Sequence, residues 1–190
     1  MRIYLAGPDV FLPDAAAIAA AKKAICARHG AEGVFPTDPI ASAAADAADS
    51  RWLEIYLRNE AHIRACDALV ANLTPFRGPS ADAGTVYELG FMRALGRPVA
   101  GYSNSGQDFT QRTRHFLGAG LRPGAGGGWA DAEGLALEDF GCHDNLMIDG
   151  GIAAAGGVLV ARDVPKARRW QALEGFEACV VALMRGRLAP

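Results

Sequence analysis

Residues 72–90 read NLTPFRGPSADAGTVYELG and mark the passage from a strand into a helix. The apolar run Ala68, Leu69, Val70 and Ala71 leads in, and Pro75, Gly78 and Pro79 form a loop. A helix over Gly84–Leu95 then ends at Gly96, a residue type that stops helices. In an open α/β sheet, ligands bind beyond the carboxyl ends of the strands, where such a turn lies. This turn holds two carboxylates, Asp82 in the loop and Glu88 in the first turns of the helix. Two carboxyls beside a loop with no phosphate-binding pattern point to glycosidic chemistry.

The alternation extends in both directions. Ile3–Ala6 is a short apolar run stopped by Gly7-Pro8, and Ala15–His29 is an alanine-rich helix ending at Gly30. Gly33–Phe35 reads as a weak second strand and Pro36–Asp49 as a loop with an alanine-rich piece. Arg51–Ala65 is a second helix, with apolar Leu53, Ile55, Tyr56, Leu57 and Ile63. Ala68–Asn72 and Pro98–Tyr102 are the third and fourth strands. Ser103–Cys142 is rich in glycine, including Gly126-Gly127-Gly128, and its lack of strong periodicity predicts a functional or mobile loop. Asn145–Ala154 is a short helix, Val158–Val160 a fifth strand, and Arg168–Met184 a closing helix with apolar Trp170, Leu173, Phe176, Val180, Val181 and Met184. Strands alternating with helices, without a repeat or linker, imply one α/β domain over 1–190 built on a five-stranded parallel sheet.

A chain of 190 residues, 51% of them hydrophobic, supplies the apolar surface for one ordinary core. Lys and Arg total 19 against 21 Asp and Glu, a net charge of -2, which leaves no basic footprint for nucleic acid. A small neutral or mildly polar ligand fits better. Cys26, Cys66, Cys142 and Cys179 form no C-x-x-C pair and fall mostly in apolar helical patterns, the usage of buried thiols in a reducing compartment. A cytoplasmic protein is therefore expected. The first apolar run is too short for a signal peptide, and no run reaches membrane-spanning length. His29, His62, His115 and His143 lack ligand-like spacing, so no metal site is expected. With no G-x-G-x-x-G or Walker loop, dinucleotide and triphosphate chemistry is disfavoured.

Each carboxylate also has a purely structural explanation. Thr85-Val86-Tyr87-Glu88 matches a capping box, and Asp82 suits a turn or an N-cap. Six residues apart on one helix, the two would point to different faces. Both reach one cleft only if Asp82 stays in the loop, and Gly84 is the expected break. Cleavage of an N-glycosidic bond needs one carboxylate to stabilise or trap the oxocarbenium-like sugar, and a second carboxyl to exchange a proton with the leaving base.

On these residues the segment resembles the signature of nucleoside 2-deoxyribosyltransferases, N-L-x-P-F-R-G-x-x-x-D-x-G-T-x-x-E-L-G. Supporting matches are Ile3-Tyr4-Leu5-Ala6-Gly7-Pro8, Asn59 followed by Ile63 and Cys66-Asp67, and Asn145-Leu146-Met147. The resemblance implies a flavodoxin-like, doubly wound fold, no cofactor, and nucleosides and nucleobases as substrates. It makes Glu88 the nucleophile that holds 2-deoxyribose, Asp82 the residue that exchanges protons with the base, and Tyr4 the neighbour of the nucleophile. Asn59 stands where part of the family has Asp, near sugar and base. Asn145 and Met147 match a motif that reaches into a neighbouring subunit's site, which implies a homo-oligomer. Gly7, Gly84, Phe76 and Arg77 complete the candidate substrate-binding set. For Phe76 a core plug and a base-stacking ring are both open, and for Arg77 a ligand contact and a solvated loop position. A hydrolase that cleaves nucleosides or deoxynucleoside 5′-monophosphates on the same scaffold is the alternative activity.

Overall fold

The computed structural model describes residues 1–124 and 126–186, so the parts of the expected domain at 125 and 187–190 lie outside the described residues. In chain order the elements are β1 (Arg2–Ala6), α1 (Ala15–Arg28), β2 (Glu32–Val34), α2 (Ala43–Asp46), α3 (Arg51–Ala65), β3 (Ala68–Asn72), α4 (Ala83–Ala94), β4 (Val99–Ser103), α5 (Phe109–Leu117), β5 (Arg122–Pro123), β6 (Trp129–Ala130), α6 (Leu146–Ala154), β7 (Leu159–Ala161) and α7 (Glu174–Gly186). Five strands form one sheet in the order β2-β1-β3-β4-β7, and every pairing is parallel. This is the flavodoxin-like order, in which the chain turns back across β1 and opens a crevice between the carboxyl ends of β1 and β3.

Two apolar layers sandwich the sheet, because successive strand side chains point to opposite faces. Ile3 and Leu5 pack with Ala19, Ile25 and Cys26 of α1 and with Phe176, Cys179 and Val180 of α7. Tyr4 and Ala6 point the other way, into a layer with Ile63 of α3, Leu89 and Met92 of α4, and Ile152 of α6. This alternation turns Tyr4 toward the helix that carries Glu88.

A buried ion pair ties the first crossover to the sheet. Lys22 Nζ lies 2.7 Å from Asp9 Oδ2, with each side chain only 1% exposed. Asn72 Nδ2 at the end of β3 also donates to both Asp9 oxygens at 3.2 Å, and the ammonium lies over the Tyr102 and Phe176 rings. Gly7 leaves room for this cluster, since a Cβ there would lie 2.3 Å from Asp9 Oδ2 and 2.8 Å from Asn72 Cβ.

The structure corrects three local expectations. The segment 103–142 is not a plain loop: Asp108 caps α5 by accepting from Gln111 N at 2.7 Å, and β5 and β6 pair as a short antiparallel ladder. The buried residues of α5 are polar, Thr110 and Arg112, and its apolar residues Phe109, Phe116 and Leu117 sit only at its two ends, within nine residues. The closing helix starts at Glu174 rather than Arg168, because Lys166–Arg168 forms a separate 3-10 turn. A four-residue helix, α2, capped by Ser42, interrupts the loop 36–49.

Replacing Lys22 by Met leaves a buried, uncompensated carboxylate, which costs about 3–5 kcal/mol. Chemical denaturation is expected to show a loss of that size for Lys22→Met, and a smaller loss when Asp9→Asn is added.

Candidate active site

Glu88 lines a cavity of about 980 Å³ at the carboxyl edge of the sheet between β1 and β3. Gly7, Phe11, Asn59, Asp82, Gly84 and Thr85 line it with Glu88, and the turn Pro36–Ala41 closes the far side with Arg51, Glu54 and Arg58 of α3. Tyr4 OH donates to Glu88 Oε1 at 2.7 Å, and Asn59 Nδ2 lies 3.5 Å from the same oxygen. Burial pushes the Glu88 carboxyl up to about 7; the Tyr4 hydrogen bond works against this, and the nearby Asp82 charge reinforces it. Asn59 adds a donor without adding charge. Tyr4 is itself driven well above the ordinary phenol value by burial and by Glu88, so it stays a donor.

Asp82 is the N-cap of α4. Its Oδ2 accepts from Thr85 N at 2.9 Å and from Thr85 Oγ1 at 3.0 Å. Neither bond uses Oδ1, which is left to serve a ligand. Asp82 thus remains outside the helix while Glu88 sits inside it, and both face one cavity. The break falls at Asp82 itself and not at Gly84, which belongs to the first turn of α4. The capping carboxylate is Asp82, so Glu88 is not tied up in a Thr85 capping box.

The 73–82 loop is stapled from behind. Asp144 is 1% exposed and accepts from Ser80 Oγ, from Ala81 N at 3.0 Å and from Asn145 N at 2.8 Å, while Arg112 Nη2 approaches it at 3.3 Å. Arg112 also donates to the carbonyls of Pro79, Gln107 and His143. These two residues set the backbone one position before Asp82, yet nothing in the loop's own sequence points to them. The one visible signal is His143-Asp144 lying directly before Asn145.

The remaining candidates divide. Gly7, Asn59 and Gly84 line the cavity, and Tyr4 touches it through Glu88. Phe76 and Arg77 flank its rim: Phe76 stacks on Phe11 at 5.5 Å, and the Arg77 guanidinium lies over both rings, at 4.6 Å from Phe76 and 5.5 Å from Phe11. Arg77 has φ 55, a strained value for a residue other than glycine. Asn145 and Met147 do not reach the cavity of their own chain. Asn145 caps α6 and donates to Glu138 at 2.6 Å, and Met147 is 74% exposed. Among the described residues no group of three His, Cys, Asp or Glu side chains is placed to hold a metal, and no helix is long and apolar enough to cross a membrane.

The chain is similar to known proteins in sequence and in fold. A family model described as nucleoside 2-deoxyribosyltransferase matches residues 3–147. An uncharacterised protein of Schizosaccharomyces pombe is 35% identical over 169 residues, which cover 83% of this chain and 79% of that protein. A solved 2-desoxiribosyltransferase from Leishmania mexicana is similar with a TM-score of 0.57 and 33% identity, over 77% of this chain and 84% of its own. A conserved protein from Enterococcus faecalis shares the fold at 20% identity, with a TM-score of 0.53 over 98% of each chain.

Because the folded state holds a proton on Glu88 more tightly than the ordinary carboxyl value of 4.5, stability falls as pH rises from that value through about 7 and levels off above it. Glu88→Gln removes this loss. In thermal melts across the same pH window, the variant's advantage over wild type is expected to grow with pH.

Proposed function

The chain belongs to the nucleoside 2-deoxyribosyltransferase family, and on that premise we propose that it transfers 2-deoxyribose between nucleobases through a covalent sugar bound to Glu88. The observation that carries this reading is one half-buried carboxylate, oriented by Tyr4 at 2.7 Å, sharing a cavity with a second carboxylate whose Oδ1 is left to serve a ligand. In the first half-reaction Glu88 attacks C1′ of a 2′-deoxynucleoside. The C1′–N bond breaks as the Glu88 O–C1′ bond forms, and Asp82 gives its proton to the departing base. In the second half a ring nitrogen of another base attacks C1′, Glu88 leaves, and Asp82 takes the proton from that nitrogen. Tyr4 holds Oε1, which leaves Oε2 to attack. No cofactor takes part.

Water in place of the second base gives hydrolysis. The assay therefore incubates a deoxynucleoside with a second free base and follows both products. A new deoxynucleoside supports transfer, and free deoxyribose released at the same rate with or without acceptor replaces it by hydrolysis. Met147 stands 74% exposed beside Asn145, away from the cavity of its own chain, which supports a homo-oligomer in which the pair serves a neighbouring site. Unpaired thiols at Cys26, Cys66, Cys142 and Cys179 suit a cytoplasmic setting.

Glu88→Ala is expected to abolish turnover. Asp82→Asn is expected to lower kcat about a hundredfold or more, the usual scale for losing an acid/base group. Glu88 must be anionic to attack, so the acid limb of kcat/KM is expected to rise with pH and to bend near 7. Tyr4→Phe removes a bond that lowers the Glu88 pKa, so it moves the bend to higher pH and slows turnover by the about 1.5–3 kcal/mol typical of a hydrogen bond to a charge. A bend that stays in place in Tyr4→Phe contradicts the assignment of that limb to Glu88.

A further inference from the structure

Behind the loop that ends at Asp82 lies a second cavity of about 240 Å³. Pro75, Gly78 and Pro79 of the loop form one wall, and Ser105, Arg112 and Arg169 form another. No Asp or Glu lines it. Asp163 lines an adjoining hollow that shares Arg169, but among the described residues none of the ion pairs includes that arginine.

The two guanidiniums differ in one respect. Arg112 spends four of its five donors on Pro79 O at 2.7 Å, Gln107 O at 2.6 Å, His143 O at 2.6 Å and Asp144, so it offers the cavity mainly positive field. Arg169 Nε is buried without any partner. A buried donor left unmade costs about 1–3 kcal/mol, and the charge of Arg169 also opposes that of Arg112. An anion in the cavity offsets that repulsion; Nε itself is closed off, so the anion meets the Nη groups of Arg169, which make no hydrogen bond or ion pair among the described residues. The cavity is smaller than the roughly 300–1,000 Å³ typical of cofactor and drug-sized ligand sites, which limits the occupant to a compact group.

We propose that this cavity binds a phosphate-class anion, either inorganic phosphate or the head of a phosphomonoester, with Arg169 as its principal ligand, and that occupancy alters turnover through the Pro75–Pro79 wall. Planar guanidinium donors match tetrahedral phosphate oxygens, Ser105 adds a hydroxyl, and His115 stands at the rim. The wall runs directly into Ser80, Ala81 and Asp82, so an anion that fixes Gly78 and Pro79 fixes the approach to the proton-exchanging carboxyl. The binding claim stands on Arg169 and the cavity, independently of the activity proposed above.

The test is calorimetric titration of the full-length protein with inorganic phosphate and, separately, with glycerol 3-phosphate, each against chloride at equal ionic strength. One saturable site is expected for at least one of them, weakened about tenfold or more in Arg169→Ala and partly retained in Arg169→Lys. Gln107→Glu, an exposed change at the same cavity, places a carboxylate there and is expected to abolish binding in a protein that melts like wild type. Binding to phosphate alone or to the ester alone identifies the source. Heat no greater than that of chloride, or affinity unchanged in both Arg169→Ala and Gln107→Glu, overturns the site. Saturable binding that leaves the rate of nucleoside turnover unmoved overturns the coupling.

Discussion

The Lys22–Asp9 pair is the interaction on which the upper edge of the sheet depends. Asp9 follows β1, Lys22 comes from α1, Asn72 ends β3, and the two rings beneath the ammonium belong to β4 and α7. One buried ion pair therefore fixes where five elements meet. Its bonds explain why the chain can leave β1 through an extended glycine: the space a side chain would fill is occupied by the carboxylate. Asp9 is fully engaged in structure, and of the other carboxylates at the crevice Asp38 is paired with Lys23 and Glu54 with Arg51 and Arg58, which leaves Asp82 and Glu88 as its acids outside any ion pair among the described residues.

Folding itself prepares the chemistry of the site. The pleat that sends Ile3 and Leu5 into one core layer sends Tyr4 into the other, where its hydroxyl meets a carboxylate 84 residues away. The same packing dehydrates Glu88 and moves its titration to near neutrality. A destabilised ground state is thus held in place by the rest of the core, with one phenol as its principal support. Asp82 differs by position: at the helix N-terminus it has backbone and hydroxyl donors on one oxygen and open space beside the other.

Much of this was legible in the chain. β1, β3, β4 and β7 are short, largely apolar runs, and the carboxylates lie where a strand gives way to a helix, so a parallel sheet and the place of the cavity followed from local pattern, whereas β2 (Glu32–Val34) is weak and the flavodoxin-like order came from the family resemblance. The partners of those carboxylates were less accessible. Lys22 sits between Ile18 and Cys26 on the buried face of α1, and a charge in an apolar stripe is a signal in retrospect, although its partner in the β1–α1 connection is not readable from spacing. Helix α5 escaped because it is only nine residues long and buries Thr110 and Arg112, while its apolar residues Phe109, Phe116 and Leu117 lie at its ends. The glycine at 84 suggested a helix break, but the capping aspartate two residues earlier set the boundary, since a satisfied N-cap outweighs the weak helix propensity of one glycine.

The staple between Arg112 and Asp144 also has an architectural meaning. Phe109 N donates to Cys142 O at 2.9 Å, and Arg112 bonds His143 O, so the chain from α5 through the β5–β6 ladder leaves and returns at one clamped point. A loop closed at its base is insulated from changes in its own length: doubling it adds only about 0.6 kcal/mol of closure entropy. The part of this segment after α5 and before Glu138 is therefore a modular appendage, able to be shortened, extended or exchanged while the backbone beside Asp82 stays where Asp144 holds it.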